Sequence, residues 1–225
     1  MASVVGGLAL DHHRPAGAAT PPRAVALTFD DGPDPRYTPD VLRTLRAFKA
    51  RATFFMVGVN VLAHPDLVRA CLAAGHEIGN HTFDHADLAR LDRRDVVAEL
   101  RGGAKAIVEA GAPAPDLFRP PRGRSDAIVH ECAAAEGYET FLWHVCVEHY
   151  IHRAGGMKAG VRALLDDVRP GTIILAHDGG HVEAPGRPTW NRRQTVEALP
   201  LLLKGLRRRN LHARDITTVA RLARV

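Results

Sequence analysis

The chain has 225 residues, of which 46% are hydrophobic and 24% charged, with a formal net charge of +5. That balance excludes a disordered chain, and the length suits one large α/β domain around a single core. The excess positive charge is scattered apart from Lys204 and Arg207-Arg208-Arg209 on a predicted surface helix, without interleaved aromatics, so no nucleic-acid partner is expected.

Residues 1–22, rich in Ala, Gly and Pro, are expected to form a flexible or surface-draped arm ahead of a domain over 23–225. Val4 to Leu10 is the only apolar run of this arm, and it lacks a preceding basic segment, so it makes a poor signal peptide. The expectation is a cytoplasmic protein, or one whose targeting segment is absent from this chain. No stretch is long enough to span a membrane. Cys71, Cys132 and Cys146 are odd in number and form no C-x-x-C pair, which implies neither a disulfide framework nor a zinc knuckle.

The domain opens with the apolar run Ala24-Val25-Ala26-Leu27, which rises into Thr28-Phe29-Asp30-Asp31-Gly32-Pro33. This reads as a buried strand that delivers two carboxylates to the rim of a sheet. Alternation along a strand sends neighbouring side chains to opposite sides, so Asp30 and Asp31 are expected to face different partners. Taken alone, the stretch also reads as an Asx turn. A helix over 38–48, a strand over 52–57, a helix over 65–74 and a short strand over 76–81 follow. The β-α alternation continues with a helix over 93–110, a strand over 117–119, a helix over 125–136 and a strand over 140–147. A helix over 159–168, a strand over 172–176 and a helix over 194–208 close it. About seven strands in repeated β-α units argue for a mainly parallel α/β sheet, closed or nearly closed, with function at the strand C-termini.

Polar residues collect where those strands end. His81 and His85 are four apart; on a helical turn that spacing places both rings on one side, and two neutral imidazoles with one carboxylate make a divalent-metal site, although a His pair taken alone also reads as structural, hydrogen-bonded core residues. Arg119 ends a strand and is followed by Pro120-Pro121-Arg122-Gly123, and His177 ends the last strand as a group able to give or take a proton near neutral pH.

Thr-Phe-Asp-Asp-Gly-Pro, His81-Thr82-Phe83-Asp84-His85, Arg119-Pro120-Pro121-Arg122-Gly123 and Leu175-Ala176-His177 match in type and order the motifs of the NodB homology domain. From about Arg23 onward the chain resembles these polysaccharide deacetylases of carbohydrate esterase family four. The resemblance implies a distorted, incomplete (β/α) barrel that removes acetyl groups from N-acetylated sugars, or O-acetyl groups from xylan, with zinc or a related divalent ion such as cobalt, nickel or manganese. It further implies that Asp31, His81 and His85 hold the metal, Asp30 is the general base, Arg119 pairs with that base and His177 is the general acid. The backbone N–H of Arg122, where the family usually has Tyr, is expected to serve the oxyanion.

The fourth motif departs from the family. Where Trp-x-Val-Asp-x-x-Asp-Trp is expected, the chain has Trp143-His144-Val145-Cys146-Val147-Glu148-His149-Tyr150. Both family acids are replaced, so His149 is expected to tune His177 weakly and lower its pKa. Cys146 reads as a small buried hydrophobe or as part of a reshaped groove, and Tyr150 stands where a Trp walls the groove. That departure favours a small N-acetylated substrate over a polymer. The long segment over 179–193, with Trp190, reads as a solvated loop or as a lid that touches substrate. A hydrolase of another linear C–N bond and a catalytically silent carbohydrate binder stay open as alternatives.

Overall fold

The computed structural model of the chain describes residues 23–180 and 191–223; the arm over 1–22 and Trp190 lie outside the described residues. The first strand, β1 (Ala24–Asp30), is buried at all seven positions. Both of its faces are covered. Val25, Leu27 and Phe29 point outward into the core beneath the helices, whereas Ala24 and Ala26 point into the barrel.

The other strands are β2 (Thr53–Met56), β3 (Glu77–Asn80), β4 (Leu117–Phe118), β5 (Glu139–Thr140), β6 (Val145–Cys146), β7 (Ile173–His177) and β8 (His212–Arg214). They follow the order β5-β4-β3-β2-β1-β7-β6, with β8 added to β1. Every pairing is parallel. The seven strands of the main path curl into a half-barrel whose end strands β5 and β6 do not pair with each other, the incomplete (β/α) barrel that the resemblance implies.

One predicted element is corrected. The strand expected over 140–147 is two two-residue strands, because the segment crosses the open side of the barrel: β5 pairs with β4 and β6 pairs with β7. A single extended run cannot bond to both walls. Immediately after β6 the chain turns into a helix, which starts at Val147.

Nine helices lie among the described residues: α1 (Thr38–Ala47), α2 (Gly58–Ala63), α3 (Pro65–Ala73), α4 (Arg93–Glu109), α5 (Ala127–Ala135), α6 (Val147–Arg153), α7 (Met157–Asp167), α8 (Arg193–Arg208) and α9 (Ile216–Ala223). α2, α6 and α9 have no counterpart in the sequence reading. Ile216 and Val219 of α9 join Ala24, Ala26, Phe55, Leu117, Phe141 and Ile173 inside the barrel, so the C-terminal helix plugs its base. No helix of the described residues is long and apolar enough to cross a membrane.

Candidate active site

Asp30 is the last residue of β1 and shares the inward face with Thr28. Arg119, entirely buried one residue beyond β4, reaches across to both. Its Nη1 donates to Asp30 Oδ1 at 2.8 Å and to Thr28 Oγ1 at 2.8 Å. Nε and Nη2 donate to the carbonyls of Phe141 and Leu142, and the guanidinium lies over the Phe55 ring at 4.2 Å. A buried cation is tolerated only when paired and hydrogen-bonded, and here a carboxylate, a hydroxyl and two carbonyls meet that demand. The arrangement ties up Oδ1 of Asp30 and leaves Oδ2 turned toward His81 Nε2, 3.8 Å away.

Asp31, one residue past β1, leaves the strand through a left-handed backbone (φ 69°), so alternation does not separate the two acids as expected and both carboxylates face His81 Nε2. Such a conformation costs a non-glycine residue about 1–3 kcal/mol and persists where neighbours impose it. Asn60 Nδ2 holds the Asp31 carbonyl at 2.8 Å. Gly32 must follow, because a Cβ there would lie 2.4 Å from Asp178 Oδ1. Thr82, His85 and Arg122 are likewise left-handed, so four of the six non-glycine residues with positive φ among the described residues stand at the rim of the barrel.

That geometry corrects the basis on which His81 and His85 were expected to converge. They lie on a loop beyond β3, not on a helical turn; Thr82 N–H bonds to Asn80 Oδ1 and His85 N–H to Thr82 Oγ1. The rings still meet, with centroids 5.1 Å apart. Their Nε2 atoms lie 3.5 Å (His81) and 3.2 Å (His85) from Asp31 Oδ1. His81 Nδ1 sits 2.7 Å from the Arg119 carbonyl, an acceptor, which assigns the proton to Nδ1 and leaves the Nε2 lone pair facing the carboxylate. A bare nitrogen and a carboxylate oxygen at that separation call for a cation between them. The spacings match the edges of a site with bonds of about 2.0–2.2 Å to nitrogen and oxygen. Burial opposes ionisation of Asp31, but hydrogen bonds and charge from the two imidazoles, when these are protonated, and the charge of His177 outweigh it and hold the carboxyl well below its usual range. These three residues therefore fit a divalent cation.

His177 closes β7 beside the end of β1, in register with Asp30, and its partner is not the residue expected. His149 is exposed on α6. Glu148, in the first turn of α6, sits against His177 instead: Oε2 lies 3.2 Å from Nδ1, and Oε1 accepts from the His177 backbone N–H at 3.1 Å. Thr195 of α8 also donates to Oε1. Burial works against the imidazolium, yet Glu148 and, more weakly, Asp31 prevail, so the pKa of His177 is raised and not lowered. Burial likewise opposes the Glu148 charge, and His177 with Thr195 brings that carboxyl down to about 2. Cys146 is buried at the end of β6 and donates from Sγ to Glu148 Oε2 at 3.3 Å. Burial and the neighbouring Glu148 push its thiol up to about 12. The Tyr150 hydroxyl bonds to Asp167 of α7. Arg122 lies exposed in the turn after β4, beside Gly123, against which the Trp143 ring packs closely.

With this geometry in hand, the comparisons with known proteins decide the family. Residues 17–141 match the family model described as polysaccharide deacetylase. The chain belongs to the polysaccharide deacetylase family. A peptidoglycan-N-acetylglucosamine deacetylase of Bacillus cereus is 38% identical over 202 residues, covering 90% of this chain and 89% of that protein. A chitooligosaccharide deacetylase of a Bradyrhizobium species is 38% identical over 193 residues, covering 83% and 86%. A solved family 4 carbohydrate esterase from Streptomyces lividans, in complex with acetate, superposes with a TM-score of 0.73 at 31% identity, covering 87% of this chain and 93% of that one.

In this chain, three residues near the site went unread in the sequence. Glu148 was passed over because the strand ends earlier than expected, and the first turn of a helix brings position 148, not 149, under His177. Arg192 lies 161 positions from Asp31, yet its Nη2 donates to Asp31 Oδ2 at 2.8 Å while Nε donates to the Gly179 carbonyl. Asp178 is wholly buried and accepts from Thr38 Oγ1 at 2.6 Å; burial, against that bond and with Asp31, Asp34 and Asp30 nearby, pushes its carboxyl up to about 7. The Asp directly after His177 was its only signal.

Proposed function

We propose that this chain is a metal-dependent hydrolase that removes the acetyl group from an N-acetylated amino sugar, within a polysaccharide, an oligosaccharide or a smaller sugar-containing molecule. One observation carries the reading: a three-donor cation site (Asp31, His81, His85) stands between an Arg-held carboxylate and a Glu-held imidazole, in a chain whose relatives bear the names of N-acetylglucosamine and chitooligosaccharide deacetylases. When bound at that site, a divalent ion, zinc or alternatively cobalt, nickel or manganese, supplies Lewis-acid polarisation of the acetyl carbonyl and acidifies water.

The remaining work falls to this chain's own groups. Arg119 pairs with Asp30 and fixes its rotamer through Oδ1, so that Oδ2 takes the proton of the attacking water. The backbone N–H of Arg122 serves as a donor to the oxyanion, a part that needs no particular side chain at that position. His177, with Nδ1 held by Glu148, presents Nε2 and protonates the departing amine. Its raised pKa keeps the donating form populated toward neutral pH, which removes the reason for expecting weak action on polymers.

The test is acetate release by the metal-loaded protein from N-acetylglucosamine, its oligomers from dimer to hexamer, chitin-type polymer and peptidoglycan. Release from the oligomers is the expected result. Full metal content with no acetate from any of these substrates would overturn the reading.

A further inference from the structure

A second convergence of metal-binding atoms lies on the far side of His177. Cys146 Sγ is 3.3 Å from Glu148 Oε2, which is 3.2 Å from His177 Nδ1, and all three donors lie within 4.8 Å of one another. None of them belongs to the Asp31–His81–His85 group. A tetrahedral site with bonds of about 2.0–2.2 Å to nitrogen and oxygen and about 2.3 Å to sulfur requires donor spacings of about 3.3–3.7 Å, so the atoms stand near their required positions. Thiolate and carboxylate together would neutralise a divalent charge, and a thiolate in the set selects soft or borderline ions over magnesium or calcium. The Glu148 and His177 side chains keep 18% and 19% of their surface exposed, which opens one side of the cluster to an incoming ion. Hydrogen bonds from Thr195 and the His177 backbone fix the other carboxylate oxygen and leave Oε2 as the donor.

We propose that Cys146, Glu148 and His177 form a second, inhibitory site for zinc or cadmium. Occupation converts the Cys146 thiol, the Glu148 carboxylate and the His177 imidazolium into a thiolate, a carboxylate and a neutral imidazole around the ion, with release of two protons. His177 then keeps only the Nε2–H of a neutral imidazole, far too weak an acid to protonate the amine, and its Nδ1 is occupied, so excess metal blocks the step in which the amine leaves. This consequence rests on the reading of His177 as the general acid; the existence of the site does not.

The experiment uses chelator-stripped full chain titrated with cadmium, followed by the ultraviolet thiolate-to-cadmium absorption and by equilibrium dialysis. Acetate release is measured in parallel with zinc buffered first to one equivalent and then to excess. The wild type is expected to take two equivalents, the second bringing the thiolate absorption, and to lose activity about a hundred-fold in excess zinc, the scale of a lost general acid. Cys146→Ala is expected to take one equivalent, to show no such absorption and to keep in excess zinc the activity it has at one equivalent. Cys146→Ser, which preserves size, provides the same comparison if the alanine variant misfolds. A wild type that binds a single equivalent without thiolate absorption overturns the site. Equal zinc inhibition of wild type and variant overturns its inhibitory role. If the wild type releases no acetate at one equivalent, the deacetylase reading fails, while stoichiometry and absorption still decide the site.

Discussion

At the scale of single residues, the proposed division of work between the two adjacent acids gives each its own signature. His81→Ala or His85→Ala is expected to remove both bound metal and acetate release, measured by elemental analysis of the purified variants; full metal content in both would dismiss the site. Asp30→Asn is expected to keep the metal while turnover drops about 10²–10⁴-fold, the range for loss of a general base. Loss of metal in that variant, with metal retained in Asp31→Asn, would mean that the two acids are exchanged. Glu148→Gln takes away the carboxylate that raises His177. The alkaline limb of the pH–rate profile should then move to lower pH, with kcat falling more than KM rises; an unmoved limb would exclude Glu148 as the group that tunes His177. Asp30, Asp31, His81, His85, Arg119 and His177 were legible because strand-end position and residue type together mark them. Glu148 was not, because the choice between 148 and 149 depends on where β6 yields to α6, and an apolar Val-Cys-Val run is compatible with either state.

At the scale of elements, the start of α8 bears on both halves of the site. Arg192, its N-terminal flanking residue, reaches Asp31, and Thr195, in its first turn, reaches Glu148. The metal-side carboxylate and the acid-side carboxylate are thus set by one short stretch of chain. A cation bound at Asp31 shares that carboxylate with a guanidinium, so Arg192→Gln is expected to tighten divalent-ion binding about ten-fold or more, since like charges at this range repel by over 1 kcal/mol. Competition with a chromogenic chelator measures it; weaker binding would show that Arg192 acts by holding Asp31 in place. Contacts of this kind, between residues 161 and 47 positions apart, leave no periodic trace in a sequence. The helices α4 and α8 were legible from their spacing. The two-residue strands β5 and β6 were not, since what separates them is the gap they span.

For the whole molecule, stability should depend on pH through the same buried pair. Glu148 has a folded pKa of about 2, below its ordinary 4.5, so its contribution is present above 4.5 and is lost as pH falls toward 2. His177 is raised above 6.5, so its contribution is present below 6.5 and is lost as pH rises through the folded value. The stability lost in Glu148→Gln should therefore be greatest between about pH 4.5 and 6.5 and shrink on either side, as followed by denaturant unfolding across pH. A deficit that is flat with pH would point to packing alone. Arg119 has a different consequence for the molecule. It runs from β4 to the end of β1 and also holds the carbonyls of Phe141 and Leu142, the residues that cross the open side between β5 and β6. The partner of the proposed base is in this way also the tie-rod of an unclosed wall. Selection for a base of different strength could not act on this arginine without loosening the wall, so new substrate preferences have to arise at the rim, in the turns after the strands, while the base and its arginine are inherited as one part.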